Sequence, residues 1–172
     1  MKNLICGQRN GFLYRIESVV IMKRLWLLVP LWAREEKLHF WIKVQKFTWK
    51  KFKIFSYMVH NYIYYHFGCD ISPKANIANT VIFPHPIGIV IGDGVEIQDN
   101  VTIYQNVTLG KKEKKGIIGY PTVEIGTIIY PSSCIFGDIV LKENTVIGAG
   151  SIITKSTEVG CTYCGVPAKK IR

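Results

Sequence analysis

The sequence predicts a mainly β protein: a parallel β-helix built from six-residue repeats and preceded by a short α-helical region. Two observations lead to this prediction. Aliphatic residues recur at every sixth position over residues 91–109 and again over residues 123–159, and the composition changes near residue 70. A fixed short period is the signature of a solenoid, in which each repeat buries its apolar face against the next.

The first predicted region, residues 1–69, is basic, rich in aromatic residues and helical. Residues 1–70 contain 12 of the 22 Lys and Arg but only 4 of the 12 Asp and Glu, together with all four Trp. Few helix breakers interrupt residues 35–67. We interpret the region as a helical cap over the open end of the solenoid. Peripheral contact with an anionic membrane surface is an alternative that is compatible with the cap.

The beginning of the chain leaves the start of translation open. Met22 is a second candidate start, so residues 1–21 could be a mis-called extension. The apolar stretch Val19–Trp32 is broken by Lys23, Arg24 and Pro30. A bilayer span needs about 20 apolar residues, so we expect no transmembrane helix here.

The five cysteines favour a reducing compartment, because their number is odd and their spacing is not that of a disulfide framework. We therefore expect a cytoplasmic protein, at the inner face of the membrane if the membrane contact holds. Cys161 and Cys164 have the spacing of metal ligands but lack a second pair and a nearby His, so we expect no metal. No recognised nucleic-acid-binding module accompanies the basic residues, and we expect no nucleic-acid partner.

The second predicted region, residues 70–172, contains the repeat. Three six-residue units would close one triangular coil of about eighteen residues, with the first position of each unit pointing inward. Small or β-branched residues at the fifth position suit tight corners. A sandwich of alternating strands is the rival interpretation, but seven consecutive repeat positions without a slip, from Val123 to Val159, favour the solenoid. The predicted inward residues are Ile71, Ile77, Phe83, Ile91, Ile97, Ile103, Leu109, Val123, Ile129, Ile135, Leu141, Ile147, Ile153 and Val159.

Residues 111–120 break the repeat, so we predict a loop that leaves the solenoid. It contains Lys111, Lys112, Lys114 and Lys115, which could attract phosphate groups or an anionic acceptor. For any single lysine, a solvated charged side chain is the simpler interpretation.

Five segments of the repeat region carry a family resemblance. They are Asp70-Ile-Ser-Pro, His85-Pro-Ile-Gly-Ile-Val-Ile-Gly, Val107-Thr-Leu-Gly, Ile147-Gly-Ala-Gly-Ser and Gly165-Val-Pro-Ala. In order and spacing, residues 70–168 resemble the bacterial serine acetyltransferases and their relatives among the hexapeptide-repeat acyltransferases. The resemblance implies a left-handed β-helix, although parallel crossovers are generally right-handed. It also implies a homotrimer with acetyl-CoA, the co-substrate, bound between subunits.

The resemblance implies catalytic roles for His85 and Asp70. Moving an acetyl group from a thioester to a hydroxyl needs a base, and the pKa of His suits that task. His85 would be this base, and Asp70 would hold its imidazole and stabilise the cation. Backbone N–H groups can hold the oxyanion, so no nucleophilic Ser or Cys is required.

The resemblance also implies a place for the co-substrate. The pantetheine arm would pass small residues that allow close approach to the backbone, and the nucleotide end would meet basic residues after the last coil. The residues concerned are Pro131, Ser132, Ala149 and Gly150 for the arm, and Lys169 and Lys170 for the nucleotide.

Three positions depart from the family pattern. Pro84 stands where the family has Asp, and Gly119 and Tyr120 stand where the serine enzymes have an Arg–His pair that helps hold the amino acid. An Arg fork suits a carboxylate, and neither replacement carries a positive charge. We therefore predict an O-acetyltransferase acting on a sugar hydroxyl in surface-polysaccharide synthesis, with Tyr120 at the acceptor.

Two alternatives to the sugar enzyme remain open. The first is serine O-acetyltransferase in cysteine biosynthesis, with its acceptor site rebuilt around Tyr120. The second is a catalytically inactive trimeric scaffold. The sequence names neither the acceptor nor the acyl group.

Overall fold

The computed structural model of the chain describes residues 34–114 and 117–172. The possible extension at residues 1–21, the apolar stretch Val19–Trp32 and Lys115 lie outside these residues. The described chain is mainly β and begins with two helices, α1 (Arg34–Trp49) and α2 (Lys53–Phe67). Neither of these described helices is long and apolar enough to cross a bilayer.

Short parallel strands form three sheets. The first sheet contains β1 (Asp70–Ile71), β3 (Val90–Ile91), β6 (Thr108–Gly110), β11 (Cys134–Phe136) and β14 (Ile152–Ile153). The second contains β2 (Asn76–Ile77), β4 (Glu96–Ile97), β9 (Thr122–Val123) and β12 (Val140–Leu141). The third contains β5 (Thr102–Ile103), β10 (Ile128–Ile129), β13 (Val146–Ile147), β15 (Thr162–Gly165) and β16 (Ala168–Lys170).

The chain visits the three sheets in turn and then returns to the first sheet. Ile91 pairs with Leu109, and Ile135 pairs with Ile153, each eighteen residues further along. The predicted coil length is therefore confirmed by the register. Within these three sheets of the described residues, β16 alone runs antiparallel to its neighbour, where it pairs with β15 at the end of the third sheet.

Two coils are longer than eighteen residues. Ile71 pairs with Ile91, two residues beyond a regular coil, and the excess falls between Phe83 and Ile89. Leu109 pairs with Ile135, eight residues beyond a regular coil. This excess contains β7 (Lys112–Lys114) and β8 (Ile117–Gly119), which pair antiparallel. Within the predicted loop at 111–120, the described residues therefore form two paired strands, which we call the hairpin.

The inward aliphatic positions form the core, since all but one of the predicted inward residues are buried. The exception is Val159, whose prediction was wrong because the side chain is 61% exposed. Ile147 pairs with Tyr163 only sixteen residues later, so the last coil is two residues short. Thr157 is buried instead, and its N–H donates to the carbonyl oxygen of Val140.

One corner uses left-handed backbone in four successive coils. We call the passage from the third sheet to the first the return corner. It is formed in successive coils by Gly88, Asn106, Ser132 and Gly150, whose φ angles are 67°, 58°, 61° and 67°. A Cβ on Gly88 would overlap the side chain of Asn106, so glycine is required there both by space and by conformation.

The helices pack on the first coil. Leu38 of α1 and Ile63 of α2 are fully buried in the same apolar cluster as Ile71. The side chain of Gln45 donates from Nε2 to the carbonyl oxygen of Ile71 at 3.0 Å. α2 ends at Gly68, whose left-handed conformation (φ 67°) lets its N–H donate to Tyr64. The chain therefore enters β1 directly from the helix.

Candidate active site

His85 lies in the two-residue excess at the return corner. Pro84 and Pro86 flank it, so the backbone on both sides is restricted. Phe83 before the excess and Pro86 within it are buried, and the N–H of Ile87 donates to the carbonyl oxygen of His85 at 2.8 Å. The imidazole is exposed. A fixed backbone thus presents a solvent-accessible imidazole at this corner.

Asp70 begins β1, and its N–H donates to the carbonyl oxygen of Ile89 at 2.8 Å. Its half-exposed carboxylate lies 3.5 Å from Nε2 of His60, a residue of α2. Among the described residues, no hydrogen bond or ion pair joins Asp70 to His85. The imidazole paired with Asp70 in the structure is therefore His60, and the predicted pairing with His85 stays a prediction.

His60 is held on its other side by the junction of helix and solenoid. Its Nδ1 lies 3.2 Å from Nε2 of Gln45 and 3.1 Å from the carbonyl oxygen of Ile71. When Nδ1 accepts from the Gln45 amide, the neutral ring carries its proton on Nε2, facing Asp70. The sequence analysis does not identify His60 as a site residue. No sequence signal indicates that a helix residue ten positions before Asp70 would turn toward it.

Two tyrosines near His85 follow successive strands of the third sheet, just before the return corner. Tyr104 follows β5 and Tyr130 follows β10 in the next coil. Their ring centroids lie 5.2 Å apart at an interplanar angle of 12°, a stacked arrangement. The centroid of the His85 ring lies 6.3 Å from that of Tyr104. The sequence analysis did not identify this column of tyrosines. Their separation in sequence equals one coil of eighteen residues plus the eight-residue excess that contains the hairpin. Gly148 occupies the same position one coil further on.

Four predicted co-substrate residues lie on the same corner as His85. Pro131 and Ser132 form it in one coil, and Ala149 and Gly150 form it in the next, with the N–H of Gly150 donating to the carbonyl oxygen of Pro131 at 2.9 Å. Neighbouring strands are about 4.8 Å apart. The corner at Ser132 is therefore about 10 Å, and that at Gly150 about 14 Å, from the corner at Gly88 next to His85.

Lys169 and Lys170 lie on β16 and are both exposed. The ammonium of Lys170 forms an ion pair with Glu158, which raises the pKa of Lys170 well above its ordinary value. Glu158 thus already engages this predicted nucleotide-binding cation.

Gly119 and Tyr120 lie at a different corner from His85, the one between the first and second sheets. The ring of Tyr120 is half-buried against Gly92 and Gly94, where an added Cβ on Gly92 would be 3.1 Å from Cε1 of Tyr120. Gly119 packs against Asp138, since an added Cβ would lie 2.7 Å from the backbone nitrogen of Asp138. One chain therefore does not bring Tyr120 and His85 together.

A second cluster of charged groups lies near Asp70. Lys74 forms an ion pair with Asp93 at 2.6 Å, and Ser72 donates to the same carboxylate. The hydrogen bond from Lys74, followed by that from Ser72, lowers the pKa of Asp93 below its ordinary value. These three residues and the His60–Asp70 pair line one open cleft between α2 and the first two coils.

No family model matches the sequence. Among curated proteins, the serine acetyltransferase of Buchnera aphidicola subsp. Acyrthosiphon pisum (strain APS) is 38% identical over 104 residues, which are 60% of this chain and 38% of that protein. Among solved structures, a serine acetyltransferase in complex with cysteine has a TM-score of 0.78 at 29% identity and covers 86% of this chain and 58% of its own. A serine acetyltransferase from Brucella abortus in complex with coenzyme A has a TM-score of 0.73 at 30% identity and covers 76% of this chain and 53% of its own.

The chain thus spans about two fifths of the length of the curated relatives that it matches. The resemblance found in the sequence is confirmed, because related proteins of one kind are found both by sequence and by fold.

Proposed function

We propose that this chain, a serine acetyltransferase-like protein in sequence and fold, is an acetyl-CoA-dependent O-acetyltransferase with His85 as its general base. One observation carries the proposal. The exposed imidazole shares the return corner with Ser132 and Gly150, two of the residues to which the resemblance assigns the pantetheine arm. The solved relative that contains coenzyme A supports acetyl-CoA as the co-substrate.

In the proposed reaction, the acceptor hydroxyl attacks the thioester carbonyl while the imidazole of His85 takes its proton. The tetrahedral intermediate then collapses, the carbon–sulfur bond breaks, and the imidazolium returns the proton to the departing thiolate. Asp70 would stabilise the imidazolium after turning its carboxylate from His60 toward His85. The attack and the collapse each conserve atoms and charge, and neither step requires a covalent acyl-enzyme.

The proposal includes a left-handed coil and a homotrimer. Tyr120 and His85 lie on different corners of one chain, so an acceptor could touch both only in a cleft between two copies. We also keep a cytoplasmic location as part of the proposal, supported by the odd number of cysteines.

The comparisons favour serine as the acceptor over the sugar that the sequence analysis preferred. The curated relatives are named serine acetyltransferases. Of the two solved relatives described, the one that covers more of this chain is a complex with cysteine. Serine O-acetyltransferase is therefore the better supported form of the proposed activity.

A sugar acceptor remains the second candidate because of the tyrosine column. Stacked Tyr104 and Tyr130 present flat, partly exposed ring surface beside His85. Such a surface suits a cyclic acceptor better than a short amino acid. Gly119 offers no cation to a carboxylate, and its contact with Asp138 leaves no space for one in this conformation.

Release of CoA thiol from acetyl-CoA tests the proposal, with L-serine, nucleotide sugars and glycans as separate acceptors. We expect one acceptor class to stimulate release, and His85→Ala to lower kcat by about 10²- to 10⁴-fold. Unchanged turnover in the variant would overturn the role of His85. If wild type neither binds acetyl-CoA nor transfers to any acceptor, the inactive scaffold is the correct alternative.

A further inference from the structure

We propose that the outer face of α2, the turn before it and the end of α1 form a docking surface for an anionic phospholipid bilayer. We call this the basic aromatic surface. It consists of Phe47, Lys50, Lys51, Phe52, Lys53, Ile54, Phe55, Met58 and Tyr65.

The first support is apolar exposure on a defined helix face. Ile54, Met58 and Tyr65 are 82%, 62% and 83% exposed, and their spacing of four and seven residues places them on one side of α2. The opposite side is buried on the solenoid through Val59 and Ile63. A surface helix normally has one apolar stripe that faces the core. The second, solvent-facing stripe is therefore not explained by folding.

The second support is the end of α1 and the turn that follows it. Phe47 and Phe52 are 68% and 64% exposed. Lys51 lies over the ring of Phe47, and Lys53 lies over the ring of Trp49. Exposed aromatic rings interleaved with lysines are the composition of helices that rest in the headgroup layer of a membrane.

The third support is charge. Residues 37–69 contain six lysines and no Asp or Glu. Lysines near an anionic bilayer are attracted to its surface, and the exposed apolar side chains add burial in the interface. A large apolar patch can also mark a protein interface. The uniform positive charge favours the anionic lipid surface as the occupant.

Sedimentation of the full chain with lipid vesicles tests the proposal. We expect the chain to bind vesicles of phosphatidylcholine mixed with phosphatidylglycerol, with binding weakened by salt, and to bind pure phosphatidylcholine at least about tenfold more weakly. Lys50→Gln/Lys51→Gln/Lys53→Gln should weaken binding to the mixed vesicles by more than about tenfold. The matched control is Lys111→Gln/Lys112→Gln/Lys155→Gln, which removes three exposed lysines elsewhere and should bind as wild type does.

A second variant, Ile54→Ser/Met58→Ser/Tyr65→Ser, tests the apolar stripe without changing charge. It should also release the protein from mixed vesicles, with circular dichroism like that of wild type. The proposal is overturned if the wild-type protein does not bind the mixed vesicles, or if the two lysine variants bind these vesicles equally well. It is also overturned if light scattering shows that the serine variant dissociates an oligomer while vesicle binding is unchanged, because a second copy would then cover this face.

Discussion

Asp70 offers one carboxylate for which two imidazoles compete. The structure pairs it with His60, whereas the proposed chemistry needs it at His85. Asp70→Asn should lower kcat by about 10²- to 10⁴-fold with little change in KM, because the imidazolium loses its counter-charge. His60→Gln should retain kcat within a few-fold, since it frees the carboxylate. An equal loss in both variants would mean that Asp70 acts through His60.

Tyr130 separates the two candidate acceptors. If its ring stacks on a cyclic acceptor, Tyr130→Leu should raise KM for that acceptor by about 2- to 10-fold, as expected for one aromatic contact of 0.5–1.5 kcal/mol. Tyr130→Phe keeps the ring and is the matched control. Steady-state kinetics with serine should not respond to either change. A similar rise in KM with serine would remove the argument for a sugar.

Gly119 is a packing position. Gly119→Arg should lower the free energy of unfolding by about 1–3 kcal/mol, because the new Cβ collides with the backbone of Asp138. Urea denaturation measures this loss. Tyr120→Phe, which keeps the ring against Gly92 and Gly94, is the control and should change stability little. Undiminished stability in Gly119→Arg would show that the hairpin moves freely away from Asp138.

At this scale the sequence predicts part of the site. The shared corner of His85, Ser132 and Gly150 follows from counting six-residue units on both sides of the break at 111–120, because equivalent residues of successive coils stack. The pair between His60 and Asp70 does not follow, because it depends on how a helix is rotated against the first coil. Rotation is decided by packing at Leu38 and Ile63, which the repeat does not encode.

Among the elements, the hairpin is the clearest addition to the solenoid. Deleting residues 112–119 would return the interval from Leu109 to Ile135 to eighteen residues. We expect the deletion to keep the far-ultraviolet circular dichroism and to shift Tm by only a few degrees, because the strands that it joins stay in register. Deleting residues 124–131, also eight, removes β10 and should unfold the protein. Equal loss of structure in both deletions would contradict this account of the hairpin.

The strands were predictable because a six-residue period leaves little freedom in register. The last coil was not predictable, because Val159 continues the aliphatic pattern in the sequence although this coil is two residues shorter than a regular one. The pattern records which residues could face inward. Which of these residues do face inward is decided by the lengths of the corners. Those lengths depend on backbone geometry that the six-residue period does not contain.

For the whole molecule, stability should be uneven along the solenoid axis. The middle coils are paired on both sides, whereas residues 154–161 belong to a shortened coil at one end. Hydrogen–deuterium exchange should therefore be slowest around Val123–Leu141 and faster across residues 154–161, because local opening costs less where fewer buried contacts are lost. Uniform protection along the chain would show instead that the solenoid opens as a single unit.

The placement of both extra segments at corners has an evolutionary consequence. His85 and the hairpin each occupy added length that leaves every rung of the three sheets in step. Insertions of this kind can lengthen, shorten or change in composition without altering the inherited scaffold. A lineage can thus explore new acceptors by editing a few corner residues, while the same inner aliphatic columns continue to fold each descendant.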